Sequence, residues 1–258
     1  MKNPLVNALI HSLALIAVLT VNALANILPI NGLNTGEVSA LYPSLFTPAG
    51  ITFSIWSVIY LLLLAFVLWQ WVRLRDTRTQ EIYRRVSPHF VLSSVFNISW
   101  ILAWHFLYVW VSVMIMLAFL ITLTLAFLNL EHAKLNTRAD RFFISLPLTT
   151  YFAWICVATI ANIATALVSL KSSTYLLTPE TWTVIMMAVA FLLAVYITVK
   201  YKKPAFAAVV TWALAGIYLR WETGEYTLIS LAAIVMATLT GVLFVYSVIR
   251  KETRTTTV

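Results

Sequence analysis

Charge is what this sequence has least of. Aspartate, glutamate, lysine and arginine together make up 10% of its 258 residues. None of them lies well inside a long apolar run. Ion-driven transporters and proton pumps place charged groups at membrane depth, so this scarcity argues against both, with His11 and a few asparagines as the exceptions. Cysteine occurs once, at Cys156, which excludes an intrachain disulfide. Its apolar surroundings predict a buried, inert thiol. There are only six glycines, and the prolines fall mostly at helix starts or in connections. Helices broken at their centres, the mark of alternating-access carriers, are therefore scarce. No His, Cys and acid residues stand at metal-ligand spacing. No serine or cysteine has an evident His and acid partner for nucleophilic catalysis. No Gly-rich phosphate loop appears. The connections are too short to hold a soluble catalytic domain, so an enzyme is the less favoured reading.

What is present is apolar surface. The chain is 62% hydrophobic with mean hydropathy +0.92. That composition belongs to an all-α polytopic membrane protein whose first partner is the lipid bilayer. Eight spans are expected, at about 5–27, 49–71, 88–107, 109–130, 142–168, 180–199, 204–220 and 226–249. Only Leu107-Tyr-Val-Trp110 separates the third from the fourth. The run from Leu5 to Ile27 is too long for a signal peptide, and no Ala-x-Ala site follows it, so it reads as a retained first helix. The net charge of +8 reports loop arginines and lysines, not nucleic-acid binding. Arg73, Arg75, Arg78, Arg84 and Arg85 fill one connection, Lys134, Arg138 and Arg141 a second, and Lys200, Lys202 and Lys203 a third. The tail adds Arg250, Lys251 and Arg254, and the intervening connections are poor in positive charge. The alternation predicts that both termini are cytoplasmic, as in a prokaryotic plasma membrane.

Several spans carry a patterned face. The first holds Asn7, His11, Asn22 and Asn26 at near-whole-turn separations, a polar stripe that should look into the bundle and serve interhelical hydrogen bonds. The second, read as opening at Thr47-Pro48 (cap, then first-position proline), holds Phe53, Trp56 and Tyr60 at i, i+3 and i+7. The third, read as opening at Ser87-Pro88, repeats the spacing with Asn97, Trp100 and Trp104, and His105 follows. The fifth holds Tyr151, Trp154, Ala158 and Asn162 at i, i+3, i+7 and i+11. Three aromatic faces with two asparagines would form an apolar cavity with few polar anchors, the composition of a small-molecule site. Plain helix–helix packing explains the same faces without a ligand. The long connection 28–47 is compatible with a lid or with a fixed cap. Trp212, Tyr218, Trp221 and Tyr226 stand at expected helix ends, where an interfacial aromatic belt accounts for them.

These motifs resemble the TspO/MBR family, the tryptophan-rich sensory or translocator proteins. The family's second helix carries P-P-x-x-F-x-x-x-W-x-x-L-Y, and this chain has Pro48-Ala-Gly-Ile-Thr-Phe53-Ser-Ile-Trp56-Ser-Val-Ile-Tyr60. The family's N-x-x-W is matched by Asn97-Ile-Ser-Trp100, with Trp104-His105 where a Phe pair would stand. Its P-Y-x-A-W-x-x-x-A-x-x-x-N is matched by Thr150-Tyr151-Phe-Ala153-Trp154-Ile-Cys-Val-Ala158-Thr-Ile-Ala-Asn162. The family's usual member ends after five helices. The expected organisation is therefore a five-helix core at 1–170 and a three-helix extension at 171–258. The resemblance implies a binding or sensory protein for a flat apolar molecule, a porphyrin such as protoporphyrin or haem, or a related tetrapyrrole or lipid. No cofactor is required. The site it implies comprises Phe53, Trp56, Tyr60, Asn97, Trp100, Trp104, Tyr151, Trp154, Ala158 and Asn162. A carrier of an apolar substrate and a ligand-free scaffold remain alternatives. The last three helices are open as a surface for a homodimer or another membrane partner.

Overall fold

The computed structural model describes all residues except 1, 2, 29, 134, 136, 171–176 and 254–258, and only the backbone of 251–253. Lys134, Lys171 and Arg254 of the loop-charge pattern lie outside the described residues, as do Lys2 and Pro29. The long helices are α1 (Pro4–Ile27), α3 (Ile55–Val72), α4 (Thr77–His105), α5 (Val109–Glu131), α7 (Leu146–Ser169), α8 (Pro179–Tyr201), α9 (Pro204–Trp221) and α10 (Thr227–Thr253). Short helices α2 (Thr35–Ala40) and α6 (Arg138–Asp140) lie between them, and no strand occurs among the described residues. Eight helical segments are long and apolar enough to cross a membrane, and the protein is an integral, all-α membrane protein.

Local chemistry sets the ends of the helices. The Asn3 side chain accepts from Leu5 N–H with Pro4 at the start of α1. Thr178 caps α8 ahead of Pro179, as the sequence suggests. Asn34 and Glu37 form a reciprocal capping box on α2. The division between α4 and α5 falls where it was expected, at a tight turn in which Leu107 takes φ 61°.

Two expected helix starts are elsewhere. Thr47-Pro48 opens no helix: a 3₁₀ turn, Gly50–Ser54, precedes α3. The Thr47 hydroxyl caps nothing, and Ala49 N–H donates to Gly216 O at 2.9 Å. Phe53 thus lies on the 3₁₀ turn, not on one α-helical face with Trp56 and Tyr60. Ser87-Pro88 is likewise internal to α4, which begins ten residues earlier at Thr77. The Asp76 carboxylate accepts from Arg78 and Thr79 N–H and forms the stronger cap, while the Ser87 hydroxyl is buried and turned to Asn7. Membrane helices tolerate an interior proline because neighbouring groups satisfy the freed backbone. The arginine-rich connection at 73–85 is therefore mostly helix. Glu81 there pairs with Arg84 and Arg85.

The chain forms two compact units: Met1–Tyr42 with Ile55–Ile155, and Pro43–Ser54 with Cys156–Val258. In the first, α4 is central, packing on α1, α2, α3 and α5. Its core includes fully buried Phe66, Tyr83, Phe90, Phe119 and Tyr151. In the second, α9 packs on α8, on α10 and on the Gly50–Ser54 turn. The free thiol of Cys156 is buried, as expected.

Candidate functional site

The aromatic faces of α3, α4 and α7 meet inside the first unit, and Trp56 is their hub. Its ring lies 5.5 Å from Tyr60 and 6.3 Å from Trp100, both nearly parallel to it. It stands edge-on to Tyr151 at 6.3 Å and to Trp154 at 6.2 Å. Trp104 continues the stack beyond Trp100 at 5.8 Å. Phe119 of α5 closes the far side, edge-on to Tyr151 at 5.4 Å. These separations are those of aromatic pairs that gain about 0.5–1.5 kcal/mol each beyond area burial.

One polar thread runs through the cluster. Asn22 of α1 donates through Nδ2 to Asn97 Oδ1 at 2.7 Å, and Asn97 Nδ2 donates to the Tyr151 hydroxyl at 3.1 Å. Asn97 is fully buried. The Tyr60 hydroxyl lies beside Asn97 without completing a hydrogen bond of good geometry. The site therefore offers ring faces for stacking and three neutral polar groups, Tyr60, Asn97 and Tyr151, for a ligand's edge. Buried Trp100, Tyr151 and Trp154 form a rigid wall, whereas Trp56 and Tyr60 are half-buried.

Six of the ten expected residues, Trp56, Tyr60, Asn97, Trp100, Tyr151 and Trp154, come together in this way. Trp104 joins at the outer end, where its indole N–H also donates to Thr35 O on α2 at 3.3 Å. Phe53, Ala158 and Asn162 belong to the second unit, where Asn162 is buried on α7. Two contributors were not on the expected roster. Asn22 was visible as part of the polar stripe. Phe119 had no signal, being one of many apolar residues in a predominantly apolar helix.

A second polar cluster occupies the opposite end of α4. His11 Nδ1 meets Gln70 Oε1 at 2.7 Å, and His11 Nε2 meets Ser87 Oγ at 2.8 Å. Ser87 in turn donates to Asn7 Oδ1 at 2.5 Å. Phe66, Tyr83 and Phe90 wall it, with ring centroids 4.8–6.2 Å from His11. This is the interhelical bonding expected of the α1 stripe, joining α1 to α3 and α4. Asn26 departs from the stripe: it is exposed and donates back to Asn22 O. His105 is structural too, fully buried with Nδ1 on Ile101 O at 2.7 Å. Among the described residues no group of three or more His, Cys, Asp or Glu is placed to hold a metal ion.

A family model for TSPO-like protein matches residues 8–246. The chain belongs to the TSPO-like protein family. No curated protein and no solved structure matches it. The TSPO-like match runs from α1 into α10 and so takes in the last three helices. Within this TSPO-like chain, the motif residues Tyr60 of α3, Trp100 of α4, and Tyr151 and Trp154 of α7 converge on Trp56.

Proposed function

We propose that the protein binds a flat, apolar small molecule, a porphyrin or related tetrapyrrole, at the Trp56 cluster, and acts as a membrane-embedded binding or sensory protein. The observation that carries this reading is the convergence of rings from three helices on half-buried Trp56, beside the buried Asn22–Asn97 amide pair. A planar conjugated ligand gains most where several ring faces and edges are pre-arranged and few polar groups must be desolvated. Asn97 and the two tyrosine hydroxyls suit the polar rim of such a ligand. They carry no charge, so recognition rests on shape and stacking. The chain's expected setting is a prokaryotic plasma membrane, where a tetrapyrrole would partition from the lipid.

The test is a titration of the purified, detergent-solubilised protein with protoporphyrin and with haem, following quenching of tryptophan fluorescence. Saturable quenching at low micromolar ligand is expected, and Trp56→Ala with Trp154→Ala should weaken it. Unchanged affinity in a folded double variant would remove the site from this cluster.

A further inference from the structure

The second unit contains a clamp whose jaws are far apart in sequence. Residues 43–54 form a strap that ends directly at Ile55, the first residue of α3. Trp56 and Tyr60 stand two and six residues beyond the strap. Four contacts from α9 hold it, and each one uses backbone on the strap. Trp221 Nε1 donates to Leu45 O at 3.0 Å, and Arg220 Nη1 donates to Thr47 O at 2.9 Å. Ala49 N–H donates to Gly216 O at 2.9 Å. Trp212 Nε1 donates to Thr52 O at 2.9 Å.

Packing closes the same joint. A Cβ placed on Gly216 would stand 2.0 Å from Thr52 Oγ1 and 2.9 Å from Thr52 Cβ. Only glycine admits the strap at that distance. Thr52 and Thr47 are both buried, and their hydroxyls have no partner among the described residues. Within the strap the Ser44 hydroxyl accepts from Phe46 N–H at 3.3 Å, and the four contacts from α9 fix the strap's backbone on that helix. Trp212 and Trp221, expected as members of an interfacial belt, donate to the strap.

We infer that Gly216, Trp212, Arg220 and Trp221 are positioning residues for the ligand site: α9 fixes the strap, and the strap fixes where α3 begins and so where Trp56 is held. This gives the extra helices a task in the proposed binding function, on which its ligand arm rests. A strap released from α9 lets the first turn of α3 rotate or fray, and Trp56 is within that turn. The rings of Trp100 on α4 and of Tyr151 and Trp154 on α7 then no longer meet a fixed indole.

The experiment uses the full chain with 5-fluorotryptophan, its Trp56 resonance assigned by loss in Trp56→Phe, together with amide hydrogen exchange over residues 47–54. Gly216→Ala should raise exchange at Ala49 and Thr52 at least tenfold, shift or broaden the Trp56 fluorine signal, and weaken protoporphyrin binding at least fivefold. Adding Thr52→Gly, which removes all three atoms that crowd position 216, should restore all of these. Arg220→Gln tests the same clamp without a steric clash and should give smaller changes of the same sign. Faster strap exchange with an unmoved Trp56 signal would overturn the inference, as would unchanged strap exchange in Gly216→Ala. A native protein that shows no saturable protoporphyrin binding would remove the proposed function, while the fluorine and exchange readings would still decide the clamp.

Discussion

The two ends of α4 bury similar polar groups in aromatic surroundings and differ in how completely they are closed. Around Ser87, His11 bonds Gln70 and Ser87, Ser87 donates to Asn7, and the walls Phe66, Tyr83 and Phe90 are at most 1% exposed. Around Asn97, the amide has two partners, but Trp56 and Tyr60 are half-buried. A closed polar cluster in a dry wall fastens helices together. A polar thread beside partly open rings keeps surface for something else. The same residue types thus serve cohesion at one end and, in the proposed function, recognition at the other, and burial of the wall separates the two ends.

Substitutions at each end should break this contrast in different currencies. The largest effect is expected from Trp56→Ala with Trp154→Ala. Two lost ring contacts of about 1–1.5 kcal/mol each predict roughly a hundredfold loss of tetrapyrrole affinity in the quenching titration. His11→Ala should act the opposite way. It takes the His11 partner from Gln70 Oε1 and should lower unfolding stability by about 2 kcal/mol, with tetrapyrrole affinity changed less than twofold. A clear affinity loss there would merge the two ends into one site. Asn97→Ala should sit between them, costing about 1 kcal/mol of stability and about tenfold in affinity.

The smallest effect tests α4 beyond both clusters. Hydrogen bonds from Thr79 N–H above all, and from Arg78 N–H, hold the Asp76 carboxyl below the usual carboxylate value. A carboxylate depressed in the fold contributes stability above its unfolded pKa of about 3.9, and that contribution fades as pH falls below it. Asp76→Ala should therefore cost about 1 kcal/mol at pH 7, and the gap from the native protein should close in a pH titration toward 3.

The spans and the aromatic faces were legible because apolar runs and whole-turn spacings survive any packing. Trp100, Tyr151 and Trp154 could be placed on one site from spacing and the family resemblance together. Helix starts were less legible. Pro48 and Pro88 look alike in sequence, yet one precedes a 3₁₀ turn and the other lies inside a helix whose true cap is Asp76. The clamp was not legible at all. Its donors reach backbone carbonyls 160–176 residues away, and a carbonyl carries no residue identity to read.

The length of α4 has a consequence for how a ligand arrives. At 29 residues it is about 43 Å long, against a hydrocarbon core of about 30 Å. Its arginines end at Arg85, and Asn97 stands about 18 Å of helix further on. That puts the amide near mid-bilayer, where water is absent. On the proposed function, a ligand that docks there would be drawn from the lipid phase, and occupancy would follow its membrane concentration. Two molecules of equal fit but unequal oil–water partition will then saturate the protein at very different total doses.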